Sequence, residues 1–189
     1  MRDRIIVEYF QGLRPPEGAR AELLRGTIVI APSSGAIHDG NVSAVVNQLP
    51  RTCWSGITSQ GVDMLEGISV PVPDVVVAER AARVERGAPM PSQAVTALVE
   101  VVCARSVYRD YLIKGSIYAA AKVPAYLIID PVMAQCVLFT EPTGHGEDAD
   151  YRCRRITVFG DSTPLEPVGI ELDTSEFAVY ENVRPHRYP

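Results

Sequence analysis

Cysteine is scarce in this 189-residue chain and poorly spaced for metal chemistry. Cys53, Cys103, Cys136 and Cys153 stand far apart with no CxxC pair, which argues against a structural zinc site. No apolar run approaches the ~18 residues of a membrane span. The opening "MRDRIIVEYFQG" carries four charges in its first eight residues and no apolar core. No signal peptide is therefore read there, and the cytoplasm is the expected location. Neither GxGxxG nor GxxxxGK[ST] occurs, so no nucleotide cofactor and no doubly wound parallel fold is expected. Positive charge is also short: the net charge is −5, which excludes a histone-like binder acting through bulk charge.

What is present suits a folded domain, expected to span residues 1–189, with 47% hydrophobic and 22% charged residues. Residues 3–12 read as a short amphipathic helix, and "ARAELLRGTIVIAP" as two strands turning near Arg25 and Gly26. Apolar residues from Ile37 to Leu49 recur at helical spacing, and Pro50 stops that helix. "WSGITSQGVDMLEG" and "ISVPVPDVVVAE" are strand-like. Residues 80–94 read as a loop or short helix able to carry specificity. "AVTALVEVV", a helix over 108–122 and the strand "AYLIID" make a strand–helix–strand unit. "QCVLFTEPTG" and "YRCRRITVF" then alternate as an antiparallel pair, and "RPHRYP" reads as a frayed end. The fold class expected is α/β (α+β), a mixed central sheet flanked by helices, with antiparallel hairpins.

Two carboxylates interrupt this apolar pattern. Strand alternation puts Leu98, Glu100 and Val102 on one face, so Glu100 points into whatever packs there. A buried carboxylate is paired, protonated or bound to metal. Asp74 opens another apolar strand after a proline. Two such side chains on neighbouring strands suit Mg²⁺ or Mn²⁺, whose hard character favours oxygen ligands. Lys114, one helical turn after Asp110 and one before Tyr118, shares a side with both and could orient water or steady a phosphate. The same residues also fit a local salt bridge or an edge-strand guard against aggregation at Glu100, a surface pair at Asp110 and Lys114, and a turn at Asp74.

These motifs resemble the Uma2 family (DUF820), restriction-endonuclease-like proteins of the PD-(D/E)XK superfamily, along most of the chain from about Glu22 to Phe177. "AELLRGTIVIAPSSGAIHDGNV" matches the family's opening hairpin and helix, with its Glu at Glu22 and its His at His38. "VPDVVV" supplies Pro73 and Asp74. "LVEVVCARSVYRDYLIKGSIYAAAKVPAYLIIDP" matches the acidic strand, the helix pair Asp110 and Lys114, and the closing strand. Two departures stand out. Val102 occupies the superfamily's usual lysine position, leaving Lys114 as the substitute, and "CARS" at 103–106 replaces the family's usual loop.

The resemblance implies a divalent-metal-dependent DNA endonuclease acting as a homodimer. Asp74, Glu100 and Glu22 would hold the metal, Lys114 would join them in catalysis, and Asp110 and His38 would support them. On that reading Lys114→Met abolishes cleavage and leaves the fold intact. The alternative is a catalytically inactive nuclease-fold protein serving as a nucleic-acid-associated binding or regulatory module.

Overall fold

The unbroken apolar runs of the sequence become the middle of a sheet covered on both faces. A computed structural model describes residues 2–64, 67–82 and 87–188, except for the side chains at 2 and 3. The strands are β1 (Ala19–Leu24), β2 (Thr27–Pro32), β3 (Trp54–Ile57), β4 (Val62–Asp63), β5 (Val75–Glu79) and β6 (Met90–Pro91). They continue as β7 (Ala97–Val101), β8 (Ala125–Asp130), β9 (Gln135–Thr143), β10 (Asp150–Val158), β11 (Ser162–Leu165) and β12 (Ile170–Asp173). The helices are α1 (Arg2–Gly12), α2 (Ala36–Gln48) and α3 (Gly115–Ala120). Six strands form the central sheet in the order β10-β9-β8-β7-β5-β3. Within this sheet the β7–β8 pair is parallel, with Glu100 opposite Ile128, and the other neighbours run antiparallel. This is the expected mixed α/β architecture, and among the described residues no helix is long and apolar enough to cross a membrane.

Alternation sorts the side chains as read from the sequence. Ala97, Val99, Val101, Leu127 and Ile129 pack beneath Val45 of α2 and Leu49 just past its end, and beside Leu165 and Leu172. Leu98, Tyr126, Ile128 and Val137 pack on the other face against Ile117, Tyr118 and Ala119. Glu100 shares that second face and is fully buried. Val75, Val76, Val77 and Ala78 are likewise 0% exposed. A β5 buried on both faces explains why it reads as a continuous apolar run.

The helix that crosses from β7 to β8 is irregular. It begins at Val107, widens into a π-helical stretch over Arg109–Lys114, and returns to regular geometry in α3. π-turns carry one residue more than a regular turn and cluster at functional sites. Here the widened turn buries Asp110, Tyr111 and Lys114.

The C-terminal segment differs from its sequence reading. "RPHRYP" is docked rather than frayed over the described residues: His186 Nε2 lies 2.6 Å from Asp130 Oδ2, and the Tyr188 ring stacks on Tyr111 at 5.9 Å. Asp130 ends β8 fully buried and also accepts from Tyr111 Oη at 2.7 Å and from the Val132 and Met133 amides. Upstream, Asn41 donates to Ala178 O and accepts from Ala178 N. His186→Ala is expected to lower unfolding free energy by about 1.5–3 kcal/mol, the range for a hydrogen bond to a charged group. Urea unfolding of the variant against wild type measures it. Residues 83–86 of the proposed 80–94 specificity loop lie outside the described residues.

Candidate functional site

Four acidic side chains meet where β1, β5, β7 and the widened helix come together. Glu22 is reached from β1, and Asp74 leads into β5. One step beyond the Val75–Val99 pairing, Asp74 falls opposite Glu100 of β7. Glu22 and Glu100 are 0% exposed, Asp110 2% and Asp74 4%. Such burial is tolerated only with compensation, and the compensation is specific.

Lys114 supplies the largest share. Its Nζ lies 2.8 Å from Glu22 Oε1 and 2.8 Å from Glu100 Oε1, and 3.9 Å from Asp110 Oδ1. Glu22 Oε1 also accepts the Val72 amide at 2.8 Å, and Glu100 Oε1 accepts the Tyr118 hydroxyl at 2.6 Å. Lys114 is itself fully buried. The expectation that methionine there would leave the fold intact therefore gives way, because three buried carboxylates depend on its charge.

Asp74 is compensated separately. Its Oδ1 accepts from Arg20 Nη1 at 2.6 Å, and its Oδ2 accepts from the Val101 amide at 2.8 Å. His38 Nε2 stands 3.0 Å from the same Oδ2, and His38 Nδ1 stands 3.1 Å from Asp39 Oδ1. Burial opposes ionisation of Asp74, but His38 and Arg20 outweigh it and hold the carboxyl well below its usual range. Burial likewise works against a charged His38, and Asp74 and Asp39 overcome it, raising its pKa.

The Glu100 side behaves in the opposite way. Burial, reinforced by the carboxylates of Asp74, Asp110 and Glu22 against the pull of Lys114, pushes Glu100 up to about 8. Glu22 faces the same burial but receives both Lys114 and the Val72 amide, and its pKa is lowered. Asp110 is raised, chiefly by burial. One lysine sits among three carboxylates, and the acid form is favoured at Glu100 while Glu22 and Asp74 are held towards ionisation.

The oxygens left over decide what else the cluster can hold. Glu22 Oε2, Glu100 Oε2 and Asp110 Oδ1 are buried without a hydrogen-bond partner. Arg109 Nε approaches them only to 3.8 Å from Glu22 Oε2 and 3.6 Å from Asp110 Oδ1. Unpartnered carboxylate oxygens are the donors a hard divalent cation takes, so Glu22 and Glu100 fit Mg²⁺ or Mn²⁺ by chemistry. Asp74 does so only once Arg20 withdraws. Among the described residues, no three His, Cys, Asp or Glu side chains form a ready metal site.

Beside Asp74 opens a cleft of about 700 Å³ whose wall includes Arg20, His38, Arg105, Arg109 and Tyr180. The "CARS" loop forms part of that wall, turned by Ser106, whose hydroxyl accepts the Cys103 amide at 3.1 Å. The first turn of α2 also faces the cleft, with Gly35 at its N-cap and no side-chain cap. Three guanidinium groups and an uncapped helix start make a local cationic hollow in an acidic protein.

Of the residues singled out in the sequence, Glu22, Glu100, Asp110 and Lys114 form one ion-paired group, and Asp74 with His38 forms an adjoining one. Sequence reasoning missed Arg20 and the bond from Tyr118. Arg20 had a signal: it sits two residues before Glu22 in a strand, on the same face. Tyr118 is a core residue whose hydroxyl ends on Glu100.

The Uma2 family profile, described as "Putative restriction endonuclease", matches residues 7–175. A crystal structure of "a putative nuclease belonging to DUF820" from Anabaena variabilis resembles the chain with a TM-score of 0.63 at 14% identity. The likeness covers 90% of this chain and 96% of that one. At that identity it speaks for the fold alone. No curated protein matches the chain.

Proposed function

The chain belongs to the Uma2 family, and from that footing we propose that it is a nuclease-fold protein that binds nucleic-acid phosphates in the Arg20–Arg105–Arg109 cleft. One observation carries this reading: each carboxylate that would hold a catalytic cation is already in contact with a cation of the protein itself. Arg20 and His38 take Asp74, and Lys114 takes Glu22 and Glu100. In the cleft next to them Arg105 pairs with no described acid and is left for an anion. Arginine forks match phosphate oxygens, and the open start of α2 adds amide dipoles of the same sign. DNA is the partner this favours within the family, held through its backbone and hence with strong salt dependence.

Arg105 tests the proposal because it lines the cleft, is exposed, and pairs with no described acid. Arg105→Ala is expected to weaken duplex DNA binding roughly tenfold at low salt and to reduce the slope of log K against log salt by about one. Fluorescence anisotropy of a labelled duplex across a salt series reads both. Unchanged affinity and slope would place the nucleic acid elsewhere.

A second reading, metal-dependent DNA hydrolysis, is favoured by the unpartnered Glu22 Oε2 and Glu100 Oε2. Glu22, Glu100 and Asp74 would hold Mg²⁺ or Mn²⁺, which when bound supplies charge stabilisation at the phosphate and an acidified water. In that reading Lys114 keeps Glu22 and Glu100 aligned, His38 keeps Asp74 ionised once Arg20 has withdrawn, and Asp110 holds Lys114. Cleavage of plasmid DNA with Mn²⁺, lost in Asp74→Asn, would establish it.

A further inference from the structure

Lys114 and Arg20 both neutralise the acidic cluster, yet they differ in freedom. The Lys114 side chain is 0% exposed and bound on two sides, whereas that of Arg20 is 29% exposed and lines the cleft. Arg20 makes its side-chain hydrogen bond through Nη1 alone among the described residues, so its remaining N–H donors are free to face the cleft. The side chain of its partner Asp74 is 2% exposed, and its second oxygen accepts the Val101 amide with His38 Nε2 3.0 Å away. Asp74 therefore stays where it is when Arg20 leaves, and its Oδ1 becomes the newly vacant donor. Asp74 lies across the β5–β7 pair from Glu100, whose Oε2, like that of Glu22, is buried without a hydrogen-bond partner.

We propose that Arg20 is a latch. Paired with Asp74 it keeps the acidic cluster closed to divalent cations, and a phosphodiester entering the cleft draws it away and opens the cluster. The inference rests on the cleft reading above for its anion, and on the Arg20–Asp74 pair alone for its closed state. Two features make the exchange favourable. A guanidinium that gives up a single carboxylate bond gains a forked contact with phosphate. The carboxylate it abandons loses one of its cations beside other acids, a loss that a divalent cation offsets. Anion and cation binding are then coupled, and linkage requires the coupling to be equal in both directions.

Arg20 thereby acts as a positioning residue whose signature is a coupling. The test is a Mn²⁺ titration followed by the electron paramagnetic resonance signal of the free ion. It is run on wild type and Arg20→Met, alone and with saturating dimethyl phosphate or a short DNA duplex, after subtracting Mn²⁺ bound by the probe itself. Wild type alone is expected to bind Mn²⁺ at least about tenfold more weakly than wild type with the anion. Arg20→Met is expected to bind tightly without any anion and to gain nothing from one. Equal Mn²⁺ affinity in wild type and variant, or no binding by either, overturns the latch. If neither anion binds wild type, the cleft reading fails, while the comparison in Mn²⁺ alone still decides whether Arg20 closes the site. Should Arg20→Met not fold, Arg20→Lys serves: a point charge still covers Asp74 but lacks the fork. The anion then tightens Mn²⁺ less than about twofold, and a full wild-type coupling in that variant counts against the proposal.

Discussion

Lys114→Met is expected to lower the unfolding free energy by about 3–5 kcal/mol, the range found when one member of a buried ion pair is removed. The side chain is fully buried with Nζ 2.8 Å from both Glu22 and Glu100, and the substitution strips all three surrounding acids of their shared cation. Methionine fills much of the same volume, so the loss is electrostatic rather than a cavity. The control follows from that. Adding Glu22→Gln and Glu100→Gln to Lys114→Met removes the orphaned charges, and most of the lost stability should return. Urea unfolding of the single and triple variants gives both numbers. A single variant as stable as wild type would mean that the acids are neutral without the lysine. Any assay of nucleic-acid function on Lys114→Met must first show that the chain is folded.

Glu100→Gln is expected to move stability the other way, and with a pH signature. The folded pKa of Glu100, about 8, lies above its ordinary value of 4.5. Below pH 4.5 the group is protonated in both states and contributes no pH dependence. Between 4.5 and 8 the unfolded chain loses the proton while the folded chain keeps it, so wild type loses stability steadily as pH rises. Above 8 both states are ionised and the penalty is constant. Glutamine mimics the protonated acid at every pH. The stability difference between variant and wild type should therefore grow, in favour of the variant, by an amount on the order of a few kcal/mol between pH 5 and pH 9. Asp74 and Glu22 titrate in the reverse sense and are common to both proteins, so they cancel in the difference. A difference that stays flat with pH would show that Lys114 keeps Glu100 ionised throughout.

Much of this arrangement was legible in the chain, for reasons that can be named. Strand alternation alone puts Glu100 on one face with Leu98 and Val102, because a period of two leaves no third choice. Asp74, sitting between a proline and an apolar run, marks the start of a strand, and the hairpins announced themselves through turn residues. Geometry set by the third dimension was not legible. Nothing local says that Arg20 rather than solvent answers Asp74, since the two are 54 positions apart. Nor does composition reveal that "RPHRYP" is anchored, because the anchor, Asp130, ends a different element. The widened helical turn was equally hidden: Arg109–Lys114 contains ordinary helix formers, and only the packing of Asp110, Tyr111 and Lys114 against the sheet makes the extra residue worthwhile.

That extra residue sets helix regularity against charge placement. Deleting one exposed position of the widened stretch, such as Leu112 at 48% exposure, would let the segment relax into an ordinary helix. Each residue of such a helix turns the chain by about 100°, so the groups before the deletion and those after it would no longer point the same way. Asp110 would then lose its alignment with Lys114 and Tyr118, and the acids of β1 and β7 would lose the cation that lets them stay buried. The shorter chain would gain a better helix and lose its centre, which makes the length of this one turn as much a part of the site as any of its charged groups.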